Sequence, residues 1–265
     1  MLRRWCPLLA MVALAAGTAL TATSASAAPT GLGDAGNFSP GGPVHLLGIS
    51  HDHTSGFSNQ AESTNWSGYA GTSGTYTSVS ASWTQPAGTC SRGDQYSAFW
   101  VGLDGYSSST VEQTGSEVDC IGRTAEYYAW YEIYPSASVN YSNTVKAGDQ
   151  FNASVTYEGN NEFSLYIADT TEGWSHTTVE SLAGAARSSA EVIVEAPCCT
   201  FSGGILPLTD FGTVSFSNSD ANGAAIGSAG GLTQIIMVDN FGRDKDSVSA
   251  LTGGTSFSAT WLRSN

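Results

Sequence analysis

The chain has 265 residues, and its 23 Asp or Glu against 9 Lys or Arg give a formal charge of −14 at pH 7. Such an acidic protein repels phosphate backbones and anionic lipid headgroups, which argues against nucleic acid or membrane as a partner. Only 12% of the residues are charged, so the surface has few ion pairs to lose when carboxylates become protonated, and the composition is compatible with work in acid.

The first 27 residues have the three parts of a secretory signal peptide. Arg3 and Arg4 give a charged start, an apolar segment begins at Pro7, and Ala25-Ser-Ala27 is a small-residue cleavage site. No later segment approaches the about 20 apolar residues that span a bilayer. We therefore predict a secreted, extracellular protein whose mature chain begins near Ala28 and carries a formal charge of −16, since two of the nine basic residues are removed.

Residues 28–62 are rich in Gly, Pro, Ser and His and have no sustained apolar period. Such a composition is typical of a segment without a core of its own. We predict a poorly ordered leader or pro-segment over 28–62 and a single domain over 63–265.

In the predicted domain, short segments rich in Val, Tyr, Trp and Thr alternate between apolar and polar residues, and Gly, Asn, Asp and Pro separate them. No amphipathic helix of three turns is recognisable. The pattern predicts an all-β fold, a sandwich of two antiparallel sheets of the concanavalin A-like or jelly-roll type. The predicted strands are Asn65–Ala70, Tyr76–Trp83, Tyr96–Leu103, Thr124–Tyr134, Asp149–Tyr157, Glu162–Ala168, Ser175–Glu180, Ala190–Glu195, Thr213–Ser217, Thr233–Val238 and Ser256–Leu262.

Four cysteines remain once Cys6 leaves with the signal peptide, and export favours disulfides between them. Four cysteines allow three connectivities. We favour Cys90 with Cys120, because either alternative would require the adjacent Cys198 and Cys199 to reach two distant loops. That pairing leaves a bridge between these two neighbours or two free thiols. The chain has no Cys-x-x-Cys or His-x-x-x-His spacing, so we expect no metal.

The sequence lacks the residues that several common hydrolytic mechanisms require. A serine or cysteine nucleophile requires a histidine or lysine base. The predicted domain has one histidine, His176, in a polar segment typical of an exposed strand, while His45, His51 and His53 belong to the predicted leader. Aspartic peptidases use two Asp-Thr-Gly or Asp-Ser-Gly turns, and the chain contains neither.

Where an aspartic peptidase has the Asp of an Asp-Thr-Gly turn, this chain has an amide, in the segment Gln113-Thr-Gly115. This segment follows Trp100-Val-Gly-Leu-Asp-Gly105. These two segments resemble the glutamic peptidases, or eqolisins, whose fungal members have Trp-Val-Gly-Ile-Asp-Gly followed by Leu-Gln-Thr-Gly. Glu112 departs from the family's apolar residue before the glutamine.

Further segments match the family in the same order, and together they cover about residues 63–262. Val192, where the family has Trp, and Ala196-Pro197, where an acidic-aromatic pair is common, depart from it. The matching segments are Asn65-Trp-Ser-Gly68, Ala129-Trp-Tyr-Glu-Ile-Tyr-Pro135, Ser189-Ala-Glu-Val-Ile-Val-Glu195 and Phe211-Gly-Thr-Val-Ser-Phe216.

The resemblance implies an acid endopeptidase without a cofactor, in which Gln113 and Glu195 are catalytic. The strand pattern agrees, because Glu191 and Glu195 share one face but are about 13 Å apart at roughly 3.3 Å per residue, too far to act as a pair. Glu195 therefore needs a partner from another strand. A carboxylate that titrates near pH 4 can serve as a base in acid, where histidine is protonated, and an amide can hold the water or the oxyanion at any pH.

Six further residues are weaker candidates for the substrate cleft. Two indoles match family positions that line the pocket, and Glu117 lies four residues after Gln113, where it could tune the proton affinity of the site. The six are Trp66, Trp100, Asp104, Glu117, Tyr131 and Glu132.

Two other functions remain open from the residues alone. A sandwich glycosidase could use two carboxylates such as Glu132 and Glu195, and a binding module could stack its Trp and Tyr rings on sugars. We favour the peptidase, with protein or peptide substrates, no metal or cofactor, and a monomeric chain.

Overall fold

The computed structural model describes residues 46–50, 59–91, 93–198 and 204–265. It confirms the predicted all-β sandwich, and within these ranges the only helix is a 3₁₀ turn at Ile226–Ser228. The strands are β1 Leu46–Ser50, β2 Gln60–Ser63, β3 Trp66–Gly71, β4 Ser78–Thr84, β5 Gln95–Leu103, β6 Val111–Ile121, β7 Thr124–Tyr134, β8 Val139–Asn140, β9 Gln150–Gly159, β10 Glu162–Asp169, β11 Trp174–Ser181, β12 Ala190–Glu195, β13 Thr213–Ala221, β14 Ala224–Ala225, β15 Thr233–Met237, β16 Asp246–Val248 and β17 Phe257–Trp261.

The strands form two sheets. Sheet A has nine strands in the order β1-β2-β15-β3-β12-β5-β6-β7-β8, and sheet B has β11-β10-β9-β4-β13-β17-β16 with β14 beside β13. All pairings are antiparallel except that of β15 with β2, which is parallel. None of the described residues forms a helix long and apolar enough to cross a membrane.

The main core lies between the two sheets. Sheet A contributes side chains such as Phe99 and Val192, and sheet B contributes side chains such as Phe151, Leu165 and Phe216. Strands of sheet B bury every second residue, as expected of a sheet with one face on the core. The central strands β3, β5, β6 and β12 of sheet A are instead buried almost throughout, so both of their faces are covered.

The structure differs from the sequence prediction at three places in sheet A, one of which is the two-residue strand β8, absent from the predicted strands. Strand β6 was not predicted, and Gln113-Thr-Gly115, read as a turn, lies within it in extended conformation. Strands β1 and β2 join the sheet ahead of the predicted domain start at Ser63. The signal peptide and most of the predicted leader, with His45, His51 and His53, lie outside the described residues, and those assignments stay predictions.

The predicted disulfide between Cys90 and Cys120 is present. It links the segment before β5 to the end of β6, and the chain between them includes Gln113. Cys198 is also disulfide-bonded, which excludes a free thiol there, and its partner lies outside the described residues.

Replacing Cys90 and Cys120 together by Ala should lower the free energy of unfolding by about 3–4 kcal/mol, because the bridge restrains a loop of 30 residues in the unfolded chain. Urea unfolding followed by tryptophan fluorescence measures the difference. An unchanged unfolding midpoint would contradict the expectation.

Candidate active site

The sequence-predicted site lies on the face of sheet A that points away from the main core. Alternation along β12 puts Glu191, Ile193 and Glu195 on this outer face. Across the sheet, Glu195 pairs with Trp66 of β3, and Ile193 pairs with Trp100 of β5. Three indoles and several aliphatic side chains form a second buried cluster on the same face, separate from the core between the sheets.

Glu195 is fully buried at the end of β12 and is held by a neutral donor. The indole Nε1 of Trp100 donates a 2.8 Å hydrogen bond to Oε2 of Glu195. The ring of Trp66 packs edge-on against Trp100, with 4.8 Å between centroids, and so limits its rotation. A hydrogen bond to the carboxylate oxygen favours the ionised form and fixes the direction in which the other oxygen points.

Gln113 lies on β6 opposite Glu132 of β7. Its Nε2 donates a 2.8 Å hydrogen bond to Oε2 of Glu132, and both side chains are buried. An amide nitrogen carries two hydrogens, so one N–H remains for another acceptor. Oε1 of Gln113 has no hydrogen-bond partner among the described residues. The amide therefore keeps one donor and one acceptor for a further molecule.

Glu117 connects the two halves of the site. It pairs with Ala98 of β5, which in turn pairs with Glu195. Burial raises the pKa of Glu117 well above its usual range, and the negative charges of Asp119, Glu195 and Glu132 raise it further. Burial likewise raises the pKa of Asp119 to about 7. Glu117 therefore stays protonated in acid, where it adds no negative charge beside Glu195.

Two of the six weaker candidates lie elsewhere. Tyr131 is on the opposite face of β7, because neighbouring residues in a strand point to opposite sides, and its ring meets Tyr141 at 5.6 Å. The Asp104 carboxylate accepts hydrogen bonds from the backbone N–H groups of Arg187 and Ser188, and so anchors that loop. The other four lie on the outer face: Trp66 and Glu117 are in the row of Glu195 across the sheet, Glu132 is in the row of Gln113, and Trp100 is in the row between them. The row of Gln113 also contains Glu191, through Gly102 of β5.

Sequence analysis missed Trp130, whose indole lies on the outer face between Glu132 and Tyr128 along β7. The Nε1 groups of Trp66 and Trp130 are buried and have no acceptor among the described residues. Buried N–H groups without an acceptor are uncommon, and here they are donors that a bound carbonyl could satisfy. The alternation of β7 could have identified Trp130, because it shares its parity with Glu132.

The Trp100 side chain packs directly over Gly115, where no Cβ is present. A Cβ at Gly115 would lie 2.5 Å from the Cβ of Trp100 and 2.3 Å from the carbonyl oxygen of Phe99. Gly68 has a φ of +134°, and a Cβ there would lie 2.2 Å from the carbonyl oxygen of Val192. Larger residues at either position would displace the strands that carry the site.

A second group of buried carboxyls includes Asp104, Glu112 and Glu191. Burial, reinforced by the charge of Asp104, raises the pKa of Glu112 to about 8. Burial also raises the pKa of Glu191 well above its usual range, although Ser189 donates a hydrogen bond to it. Glu191 is thus held neutral in acid and is a poorer base there than a carboxylate would be. The described residues contain no group of three or more His, Cys, Asp or Glu suited to hold a metal ion.

Comparisons with known proteins agree on one family. The model of the peptidase A4 family matches residues 64–261. Aspergillopepsin-2 of Aspergillus niger is 28% identical over 251 residues, 84% of each chain. Scytalidopepsin B of Scytalidium lignicola is 36% identical over 101 residues, 36% of this chain and 38% of that protein.

Solved structures show the same fold. Scytalido-glutamic peptidase with a transition-state analogue inhibitor has a TM-score of 0.66 at 24% identity, and the likeness covers 75% of this chain and 98% of that one. Aspergilloglutamic peptidase from Aspergillus niger has a TM-score of 0.55 at 25% identity, over 63% of this chain and 99% of that one.

The raised pKa of Glu112 makes stability depend on pH. Between about pH 4.3, where an unfolded glutamate titrates, and about pH 8, the folded chain keeps a proton that the unfolded chain has lost, so stability falls as the pH rises. Glu112→Gln should make this slope shallower by up to about 1.4 kcal/mol per pH unit.

Chemical denaturation at a series of pH values measures that slope. Glu158→Gln is the matched control, since it removes an exposed carboxylate from β9. Equal slopes for the wild type and Glu112→Gln would show that Glu112 is not protonated in the fold.

Proposed function

Since the chain belongs to the peptidase A4 family and is a peptide hydrolase, we propose that it is a secreted acid endopeptidase in which Gln113 and Glu195 carry out the chemistry. The proposal of secretion rests on the signal-like sequence of residues 1–27. Because the chain belongs to a peptidase family, the glycosidase and carbohydrate-binding alternatives are set aside. The proposed substrates are proteins and peptides.

Glu195 is the proposed general base. Its carboxylate, oriented by Trp100, takes a proton from a water molecule while the oxygen of that water attacks the scissile carbonyl carbon. When the tetrahedral intermediate collapses, the protonated Glu195 gives its proton to the leaving nitrogen and the C–N bond breaks.

Gln113 also supplies the proposed oxyanion donor. The N–H of its amide that does not bind Glu132 can donate to the carbonyl oxygen as that oxygen gains negative charge. A single well-placed donor of this kind is worth about 3 kcal/mol in the transition state. The bond to Glu132 keeps the amide in one orientation, so little reorganisation is needed as the charge develops.

One observation carries the proposal: a buried carboxylate held by an indole and a buried amide held by a carboxylate occupy the same face of sheet A. The strand register places Gln113 level with Glu191, through Gly102, and four residues along the strand direction from Glu195, so a comparison of the two glutamates is the decisive test. Both catalytic side chains are buried in this structure, so peptide binding requires this face to become accessible. The unpaired indole N–H groups of Trp66 and Trp130 are suited to the backbone carbonyls of an extended peptide.

Glu195→Gln and Gln113→Ala should each lower kcat on a denatured protein substrate at pH 3–4 by at least about 100-fold, because one loses the base and the other the oxyanion donor. Glu191→Gln, four residues before Glu195 on the same face of β12, should keep most of the activity. Fragments identified by mass spectrometry measure turnover, and circular dichroism verifies the fold. An inactive Glu191→Gln with an active Glu195→Gln would reverse the choice of glutamate.

Glu117→Gln should extend activity toward neutral pH. In the wild type, the pKa of Glu117 is raised well above its usual range by burial, so its proton is lost only as the pH rises well beyond that range, and the new charge then lies beside Glu195 and Glu132. Glutamine cannot ionise, so the fall of kcat on the alkaline side of its pH profile should move to a higher pH.

Tryptophan fluorescence recorded over pH 2–8 at low and high salt gives the control. Repulsion within the acidic chain predicts instead that activity and folding are lost together, that salt rescues both, and that Glu117→Gln leaves the limb in place.

A further inference from the structure

A cavity of about 390 Å³ lies beside the start of β3, outside the group around Gln113 and Glu195. Its wall combines two cations, the carboxylate of Asp239, an aromatic ring and polar groups. Phe241 is 84% exposed at its edge, and Arg243 lies near this ring, with the guanidinium carbon 5.4 Å from its centroid. Residues of the wall include Thr64, Ile205, Asn240, Phe241, Arg243 and Lys245.

Lys245 is the unusual member of this wall, because it is a cation with only 3% of its surface exposed. The acidic groups around it are engaged by others. Asp239 accepts from the backbone N–H and Nε of Arg243, the latter at 2.6 Å, and Asp246 accepts from the hydroxyl of Ser67. Within the part of the chain that the structure describes, no carboxylate lies within salt-bridge distance of Lys245 Nζ.

A buried ammonium group without a close anion is unfavourable, and a ligand that brings a negative charge would stabilise it. Burial lowers the pKa of Lys245 to about 8, although the charges of Asp246 and Asp239 act in the opposite direction. Lys245 is nevertheless protonated throughout the acid range. Burial raises the pKa of Asp246 to about 7, so below that pH this neighbour is neutral, and the remaining negative charge near Lys245 is that of Asp239, which is paired with Arg243.

The cavity borders the Glu195 end of the candidate site. Thr64 precedes Trp66 by two residues, and Trp66 is the strand partner of Glu195. Ile205 bridges to Cys198, three residues after Glu195. Two residues of chain and one strand spacing put the wall on the order of 10 Å from Glu195, a distance that an extended peptide covers in about three residues.

We propose that this cavity is a substrate subsite that binds a carboxylate of the peptide, about three residues from the scissile bond, between Lys245 and Arg243. The proposal rests on the proposed function, since it places the peptide on the outer face of sheet A. The cavity has room for an acidic side chain or for the carboxyl terminus of a short peptide, and both present the same chemical group. Phe241 would cover the aliphatic part of the bound residue.

Paired peptides test the subsite at pH 5.5, where a free glutamate is ionised and Lys245 is protonated. Each pair is identical except for Glu or Gln at the third residue on one side of the cleaved bond, and a second series places the change on the other side. A third series ends at that position with a free carboxylate or an amide, which separates the two sources of the group.

The wild type should cleave the Glu peptide of one series with a kcat/KM about 10-fold above that of its Gln partner. Lys245→Met, which keeps the side-chain length, should reduce the ratio of the two kcat/KM values to about 1. Lys146→Met is the matched control, because it removes the same charge from an exposed lysine paired with Glu172, and it should keep the preference. Thermal unfolding verifies each fold, and Arg243→Gln supplies a second reading if Lys245→Met does not fold.

The peptide assay gives different results if the subsite proposal is wrong and if the proposed peptidase function is wrong. Equal cleavage of carboxylate and neutral peptides in every series would overturn the subsite and leave the peptidase assignment intact, whereas no cleavage of any peptide would contradict the proposed acid endopeptidase. Anisotropy of labelled peptides, measured in parallel, decides the subsite even then, since equal affinities of the wild type for both members of every pair would rule it out.

Discussion

Carboxyl groups buried without cations are the constraint on which this structure depends. The chain has 23 acidic residues against 9 basic ones, and only two salt bridges occur among the described residues. Its buried carboxyls are instead held by neutral donors, such as the indole of Trp100 at Glu195 and the hydroxyl of Ser67 at Asp246. Neutral donors keep their hydrogens at any acid pH, whereas an ion pair fails once its carboxylate is protonated. A fold built in this way gains stability from acid.

The same constraint separates the carboxyls into different roles. Glu117, Glu191 and Glu112 have raised pKa values because they are buried beside other carboxyls, so they remain neutral where the proposed enzyme works. Glu195 receives the Trp100 indole N–H, a rigid donor whose ring is itself packed against Trp66. Two types of environment on one sheet thus supply neutral carboxyls and a candidate base without a histidine or a metal.

Period-2 alternation was sufficient to predict the sandwich, because most strands of sheet B bury every second residue. It did not reveal β6, since Val-Glu-Gln-Thr-Gly-Ser-Glu-Val is polar on both faces and is buried by neighbouring strands rather than by its own apolarity. Adjacent candidates such as Tyr131 and Glu132 could not both reach one face of a strand. The role of Asp104 as a loop anchor depends on Ser188, 84 residues away, and no local pattern encodes such a contact.

Lys245 shows the limit of local sequence information in another way. The segment Asp244-Lys-Asp246 has the composition of a solvated turn. Lys245 is buried because its backbone is held by distant segments: its N–H donates to the carbonyl of Met237, and its carbonyl accepts from the N–H groups of Leu262 and Arg263. A chain of formal charge −14 repels acidic peptides at neutral pH, and this repulsion weakens as its carboxyls become protonated. Lys245 does not lose its charge in that range, so the attraction of the proposed subsite remains while the general repulsion declines. Selection of a carboxylate should therefore be strongest between the pKa of the peptide carboxyl and that of Lys245, since outside this window one of the two charges is absent.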